Sequence, residues 1–207
     1  NFIKFHGKPM IHWTIESAKK SKTFDKIIIA TDSDKIINKC KKYNVEFIKR
    51  PKRLNKEQYG IDEVMKYCLS KINEKVKFAC CLYACAPLLT YKDIKNGFLK
   101  LKSHEYKYIF AASNYSHPIE RSFKVKNGEI DMIFKKFFNV TSKFFTDTYH
   151  DTGYFYWAKA DTWKKHLIKY NSKSSFIKIP NWRAQDLDTW DDFKKIDLIF
   201  KSLKKNN

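Results

Sequence analysis

Two hydrophobic periods alternate through the first half of the chain, and this alternation limits the fold more than any other feature. Apolar, β-branched runs of strand length stand at "KIIIAT" (26–31), "VEFIKR" (45–50), "KFACCLYA" (77–84) and "YKYIFAAS" (106–113). Segments with helical spacing lie before and between them: "KPMIHWTIESAKKS" (8–21), "DSDKIINKCKKY" (32–43), "GIDEVMKYCLSKI" (60–72) and "YKDIKNGFLKLK" (91–102). Near-continuous apolar strands are buried on both faces, and parallel strands joined by crossover helices have that burial. The pattern therefore predicts an α/β fold, with a mostly parallel sheet and helices on both faces. After Ser113 the rhythm breaks. "SFKVKNGEIDMIF" reads as a hairpin about Asn127-Gly128, followed by the irregular, aromatic "KKFFNVTSKFFTDTYHD". The strand "GYFYWA", a short helix and the strand "SFIKIP" follow. No repeat or linker interrupts the chain, so residues 1–207 read as one domain and 114–150 as an excursion from it.

Composition narrows the partners. The formal charge of +20 first suggests a polyanion, but only four of the 42 basic residues are arginines, and the lysines are spread along the whole chain. That is a solvated, lysine-biased surface with no recognisable nucleic-acid module, although its field suits anionic small molecules. The five cysteines show no C-x-x-C spacing, and three fall in the apolar run "FACCLYACAPL", as reduced core residues would. No apolar stretch has membrane-spanning length. The expectation is a cytoplasmic protein that binds neither nucleic acid nor membrane.

Ligands of open α/β sheets bind beyond the carboxyl ends of the strands. Three groups fall there: "TDSD" (31–34), "KRPKRL" (49–54) and "YACAPL" (83–88). A fourth segment, "RAQDLDTWDDF" (183–193), carries four aspartates. Thr189 and Asp192 form a capping pair ahead of a helix with apolar residues at Phe193, Ile196, Ile199, Phe200 and Leu203, which assigns Asp191 and Asp192 to its first turn. Asp186 and Asp188 precede the cap. In extended backbone they point to one side with Cα atoms roughly 7 Å apart, so they form either an acidic turn or a site for a divalent cation.

Read in order, "GKPMIHWTIESAKKSKTFDKIIIATDSDKI", "FIKRPKRL", "CCLYACAPLL", "SHPIERSFKV", "YHDTGYFYW" and "RAQDLDTWDDF" resemble the CMP-sugar-acid synthetases, most closely the pseudaminic acid cytidylyltransferases. The resemblance implies a Rossmann-like nucleotidyltransferase fold and a Mg²⁺-dependent reaction of CTP with a nine-carbon sugar acid. It assigns Asp186 and Asp188 to the metal and to catalysis, and Arg50 and Tyr59 to the nucleotide. Tyr83, Arg121, His150, Asp151 and Gln185 go to the sugar acid. It further implies a homodimer built through the 114–150 excursion, within which residues 129–149 form the contact. It also implies a strand and a Gly/Arg/Lys-rich triphosphate loop ahead of Asn1, and so little CTP turnover from residues 1–207 alone. Tyr154 stands where glutamine is common in the family. A metal-dependent glycosyltransferase and a non-catalytic nucleotide-sugar binding module are the competing readings. His6, His12, His104 and His166 have no motif context.

Overall fold

The computed structural model describes residues 2–56, 58–165 and 170–205, so His166 lies outside the described residues. A short ladder pairs β1 (Lys4–Phe5) with β2 (Lys8–Pro9) across His6 and Gly7, both at positive φ. Helix α1 (Met10–Ser21) follows, then β3 (Ile28–Thr31), α2 (Asp34–Cys40), β4 (Glu46–Lys49) and α3 (Ile61–Leu69). Next come β5 (Phe78–Leu82), α4 (Tyr91–Ser103), β6 (Tyr108–Asn114) and the hairpin strands β7 (Phe123–Lys126) and β8 (Glu129–Met132). The chain continues through β9 (Tyr149–Lys159), α5 (Ala160–Lys164), β10 (Ser174–Lys178) and α6 (Trp190–Lys205). At the hairpin tip Asn127 and Gly128 both have positive φ, as a type I′ turn requires.

Strand order in the larger sheet is β10–β6–β9–β5. Strands β5, β6 and β10 run in one direction, while β9 lies antiparallel to both β5 and β6. Strands β3 and β4 form a separate parallel pair. Successive side chains of β9 alternate between two cores, as the period of two demands. Phe155 and Trp157 pack with Ile94, Leu101, Ile196 and Phe200 on one face. Tyr156 and Ala158 pack with Leu69 and Trp163 on the other, so helices do cover both faces. Helix α1 ties the two sheets together: Ile11 and Ile15 pack with Cys40, Tyr43 and Ile29 on one side and with Ala84 on the other.

Two boundaries differ from the sequence reading. The first helix begins at Met10 rather than Lys8, because Lys8 precedes a proline and is held extended, and Pro9 (φ −59°, ψ 146°) is itself outside the helix. Strand β9 starts at Tyr149, so residues 149–152 are strand rather than irregular chain. A register shift between Phe110 and Ala112, with Gly153 at φ +67°, lets the ladder continue past the bulge.

Helix α4 approaches β9 closely at one point. A Cβ on Gly97 would stand 2.8 Å from Phe155 Cε2 and 2.9 Å from Trp157 Cδ1, and both rings are buried. Gly97→Ala gains helix propensity but forces these rings apart, with a net loss of about 1–3 kcal/mol. Urea unfolding of the variant measures it.

Candidate functional site

The strand ends converge as the topology requires. Register pairs Ala112 with Asp151, Ser113 with His150 and Asn114 with Tyr149, and the Tyr83 amide donates to the Tyr154 carbonyl at 3.2 Å just past β5. After β10 the Ile179 amide donates to the Ala112 carbonyl at 2.8 Å, which brings the following segment back over the same end of the sheet. Tyr83, His150, Asp151, Gln185 and Asp186 thereby gather at one edge. The segment after β5 is fixed from below by α1. Thr14 Oγ1 lies 3.2 Å from the carbonyls of both Tyr83 and Ala84, and Ser17 Oγ donates to the Leu89 carbonyl at 2.7 Å.

Asp151 is half-buried, and its Oδ1 accepts from the Tyr156 hydroxyl at 3.0 Å and the Gly153 amide at 2.8 Å. Burial, followed by the Asp151 carboxylate, pushes the Tyr156 hydroxyl up, so it remains a donor. Tyr83 is 44% exposed, its ring 5.9 Å from that of Tyr156. Burial and then Cys81, Asp151 and Asp186 push its hydroxyl up as well, which makes it a hydrogen-bond donor and a poor base. His150 Nδ1 lies 3.0 Å from the Asp151 carbonyl, and its ring is 5.0 Å from that of Tyr115.

In the aspartate segment, Leu187 turns into the core while Asp186 and Asp188 are exposed on either side of it. Both carboxylates are thus open to solvent, one residue apart on either side of Leu187. Asp186 Oδ1 accepts from the Leu187 amide at 2.9 Å. Among the described residues no group of three or more His, Cys, Asp or Glu could hold an ion. A pair of hard oxygen donors open to solvent nevertheless fits Mg²⁺, which takes one or two carboxylates and completes its shell with water and substrate phosphates. The neighbouring aspartates are occupied otherwise. Thr189 Oγ1 accepts from the Asp192 amide at 3.2 Å, while the Thr189 amide donates back to Asp192 Oδ2 at 2.9 Å, a capping box. Those bonds from Thr189 hold the Asp192 carboxyl below its ordinary value. Asp191 pairs with Lys194 at 3.2 Å.

Arg50 follows β4, its amide donating to the Thr31 carbonyl at 2.8 Å, and its buried Nε has no hydrogen-bond partner among the described residues. Tyr59 is half-buried in the turn that follows, its amide 3.0 Å from the Lys56 carbonyl. Arg121 is engaged within the excursion. Its Nη1 donates to the Phe138 carbonyl at 2.9 Å, its Nη2 to the Val140 carbonyl, and its guanidinium lies over the Phe145 ring. Ser33 occupies the position before α2 without a side-chain cap, and Asp32 instead accepts from Asn55 at 2.8 Å.

Three residues at the site escape sequence reasoning. Arg183 is buried, donating to Asp93 Oδ2 at 2.6 Å, Asp93 Oδ1 at 3.0 Å and the Leu88 carbonyl at 3.0 Å. Asp93 also closes a capping box with Thr90 at the start of α4. Tyr154 joins this group through the Arg183 carbonyl. The T-x-x-D spacing announces the cap, but nothing local announces an ion pair across ninety residues.

A family model described as cytidylyltransferase matches residues 1–154. The chain is similar to the pseudaminic acid cytidylyltransferase of Campylobacter jejuni, at 30% identity over 97% of this chain and 89% of that protein. A Helicobacter pylori protein, named as a pseudaminic acid cytidylyltransferase and UDP-2,4-diacetamido-2,4,6-trideoxy-beta-L-altropyranose hydrolase, is 35% identical over 90% of this chain and 37% of its own length. Among solved structures, a CMP:2-keto-3-deoxy-manno-octonic acid synthetase complexed with CTP has a TM-score of 0.70 at 11% identity, covering 97% of this chain and 91% of that one.

Proposed function

The chain belongs to the cytidylyltransferase family, and we propose that it activates a nine-carbon sugar acid, pseudaminic acid in preference to the sialic acids, with CTP to give the CMP-sugar and pyrophosphate. The observation that carries this reading is the meeting of Tyr83, His150, Asp151 and Asp186 at one sheet end in a chain 30–35% identical to proteins named for that reaction.

The anomeric hydroxyl of the sugar acid attacks the α-phosphorus of CTP as pyrophosphate leaves, so the protein contributes chiefly position and charge balance. Asp186 and Asp188 would hold Mg²⁺, which when bound neutralises phosphate charge and lowers the pKa of a coordinated hydroxyl. Tyr83 and Tyr156 stay protonated and serve as donors. Arg50, with a buried donor unused, and Tyr59 contact the nucleotide. His150, Asp151 and Gln185 face the sugar acid, whereas Arg121 is engaged by the Phe138 and Val140 carbonyls and would have to leave them to reach its carboxylate. Incubation with CTP, Mg²⁺ and separate pseudaminic, legionaminic and sialic acids tests the assignment. Pyrophosphate release is greatest with pseudaminic acid; no pyrophosphate from CTP, with nucleoside mono- or diphosphate released from a nucleotide sugar, would instead indicate a glycosyltransferase.

The working form is a homodimer through the excursion. Val125, Ile130, Phe138 and Phe144 are each 64–72% exposed on the hairpin and the two turns that follow, an apolar patch that water does not favour. A two-fold contact would repeat any charge placed there across its axis. Phe138→Glu combined with Phe144→Glu yields a folded monomer in sedimentation, whereas a double variant that remains dimeric would exclude this face.

A further inference from the structure

The Tyr154 ring is 2% exposed within the main core, yet its hydroxyl leaves that core to meet the backbone just ahead of the aspartates. It donates to the Arg183 carbonyl and accepts from the Gln185 amide at 3.1 Å. Those two backbone groups also bond to each other at 3.1 Å around Ala184 (φ −82°, ψ 76°), which is an inverse γ-turn. One hydroxyl from β9 thus clamps both ends of a three-residue turn. The turn is held from two further sides. The Arg183 guanidinium grips Asp93 and the Leu88 carbonyl, and Asn181 Nδ2 donates to the Asn114 carbonyl at 2.7 Å. Asp186 begins one residue beyond the last of these ties.

We propose that Tyr154 is a positioning residue for Asp186 and Asp188: its hydroxyl holds the Arg183–Gln185 turn so that both carboxylates project at the sheet end that carries His150 and Asp151. The proposal rests on the reading of Asp186 and Asp188 as the metal pair. Because β9 supplies the clamp together with His150 and Asp151, it sets the aspartates and the sugar-facing residues in one frame. Burial pushes the Tyr154 hydroxyl up to about 12, so the clamp persists across the neutral range.

Tyr154→Phe keeps the ring and removes only the hydroxyl. Mn²⁺ serves as the probe, titrated in the presence of CTP and followed by the paramagnetic resonance of the free ion, in the parent, Tyr154→Phe and Asp186→Asn proteins. Amide exchange over residues 181–205 is measured alongside. Tyr154→Phe weakens Mn²⁺ binding about tenfold, in the range expected when support behind a metal ligand is lost, and Asp186→Asn removes it. Exchange at Gln185 accelerates while that of α6 does not. Unchanged Mn²⁺ affinity in Tyr154→Phe, with binding lost in Asp186→Asn, would overturn the positioning role and leave the metal pair standing. Exchange accelerated equally through α6 would mark a merely structural role and overturn it too. Mn²⁺ binding retained in Asp186→Asn would overturn the metal pair and the proposal together.

Discussion

Asp186→Asn is expected to lower turnover of the full-length protein at least about a hundredfold, and Asp188→Asn to do the same, because under the proposed reading each removes a metal ligand's charge that acts on the transition state itself. Asp191→Asn and Asp192→Asn leave turnover near the parent value. Asp191 spends its carboxylate on Lys194, at the exposed start of α6. Asp192 accepts from Thr189, and an asparagine keeps one oxygen for that capping bond. Steady-state pyrophosphate release from the four variants measures the division. Equal losses at all four positions would contradict it.

The second large effect is on stability. Asp93→Ala removes the partner of a guanidinium that is itself 8% exposed, and breaks the α4 capping box at the same time. Stranding a buried charge in this way costs roughly 3–5 kcal/mol, a large share of the 5–15 kcal/mol that holds a domain of ordinary stability. Arg183→Met with Asp93→Leu loses less, because neither charge then remains buried without the other. Denaturant midpoints of the single and double variants decide the matter. A single variant as stable as the double would show that the pair carries no such penalty.

Much of this molecule is legible in its sequence because its signals are local. The strands at Ile28–Thr31, Phe78–Leu82 and Tyr108–Asn114 announce themselves by apolar runs and Glu46–Lys49 by the short apolar stretch around Phe47 and Ile48, and the Asn127-Gly128 tip by the positive φ that both residues accept. The Thr189 capping box is likewise visible four residues at a time. What escapes is non-local. Strand β9 continues back to Tyr149 only because its partner β6 carries a register shift, a fact about a second strand. Arg183 looks like a surface cation in a lysine-rich chain until α4 brings Asp93 against it. Tyr154 stands out in the sequence only as a departure from the family's glutamine, since hydrophobic patterning is blind to where a hydroxyl points. The candidate site is legible to the same degree. The Asp-x-Asp spacing singles out Asp186 and Asp188 in advance, while the nearness of Asp151 to Tyr83 follows from the pairing of β9 with β5, and that of Asp186 from the chain's return over the sheet end after β10. Arg121 illustrates the limit. Its fork suits a carboxylate, yet the fold also offers it two backbone carbonyls of the excursion, and it takes them.

The most direct test of the account is a phosphorus-31 resonance experiment on the full-length protein with CTP, Mg²⁺ and pseudaminic acid. The expected result is loss of the three CTP signals with equal growth of a sugar phosphodiester signal and pyrophosphate. Persistence of CTP, or its conversion to CDP and inorganic phosphate without a phosphodiester, would contradict it.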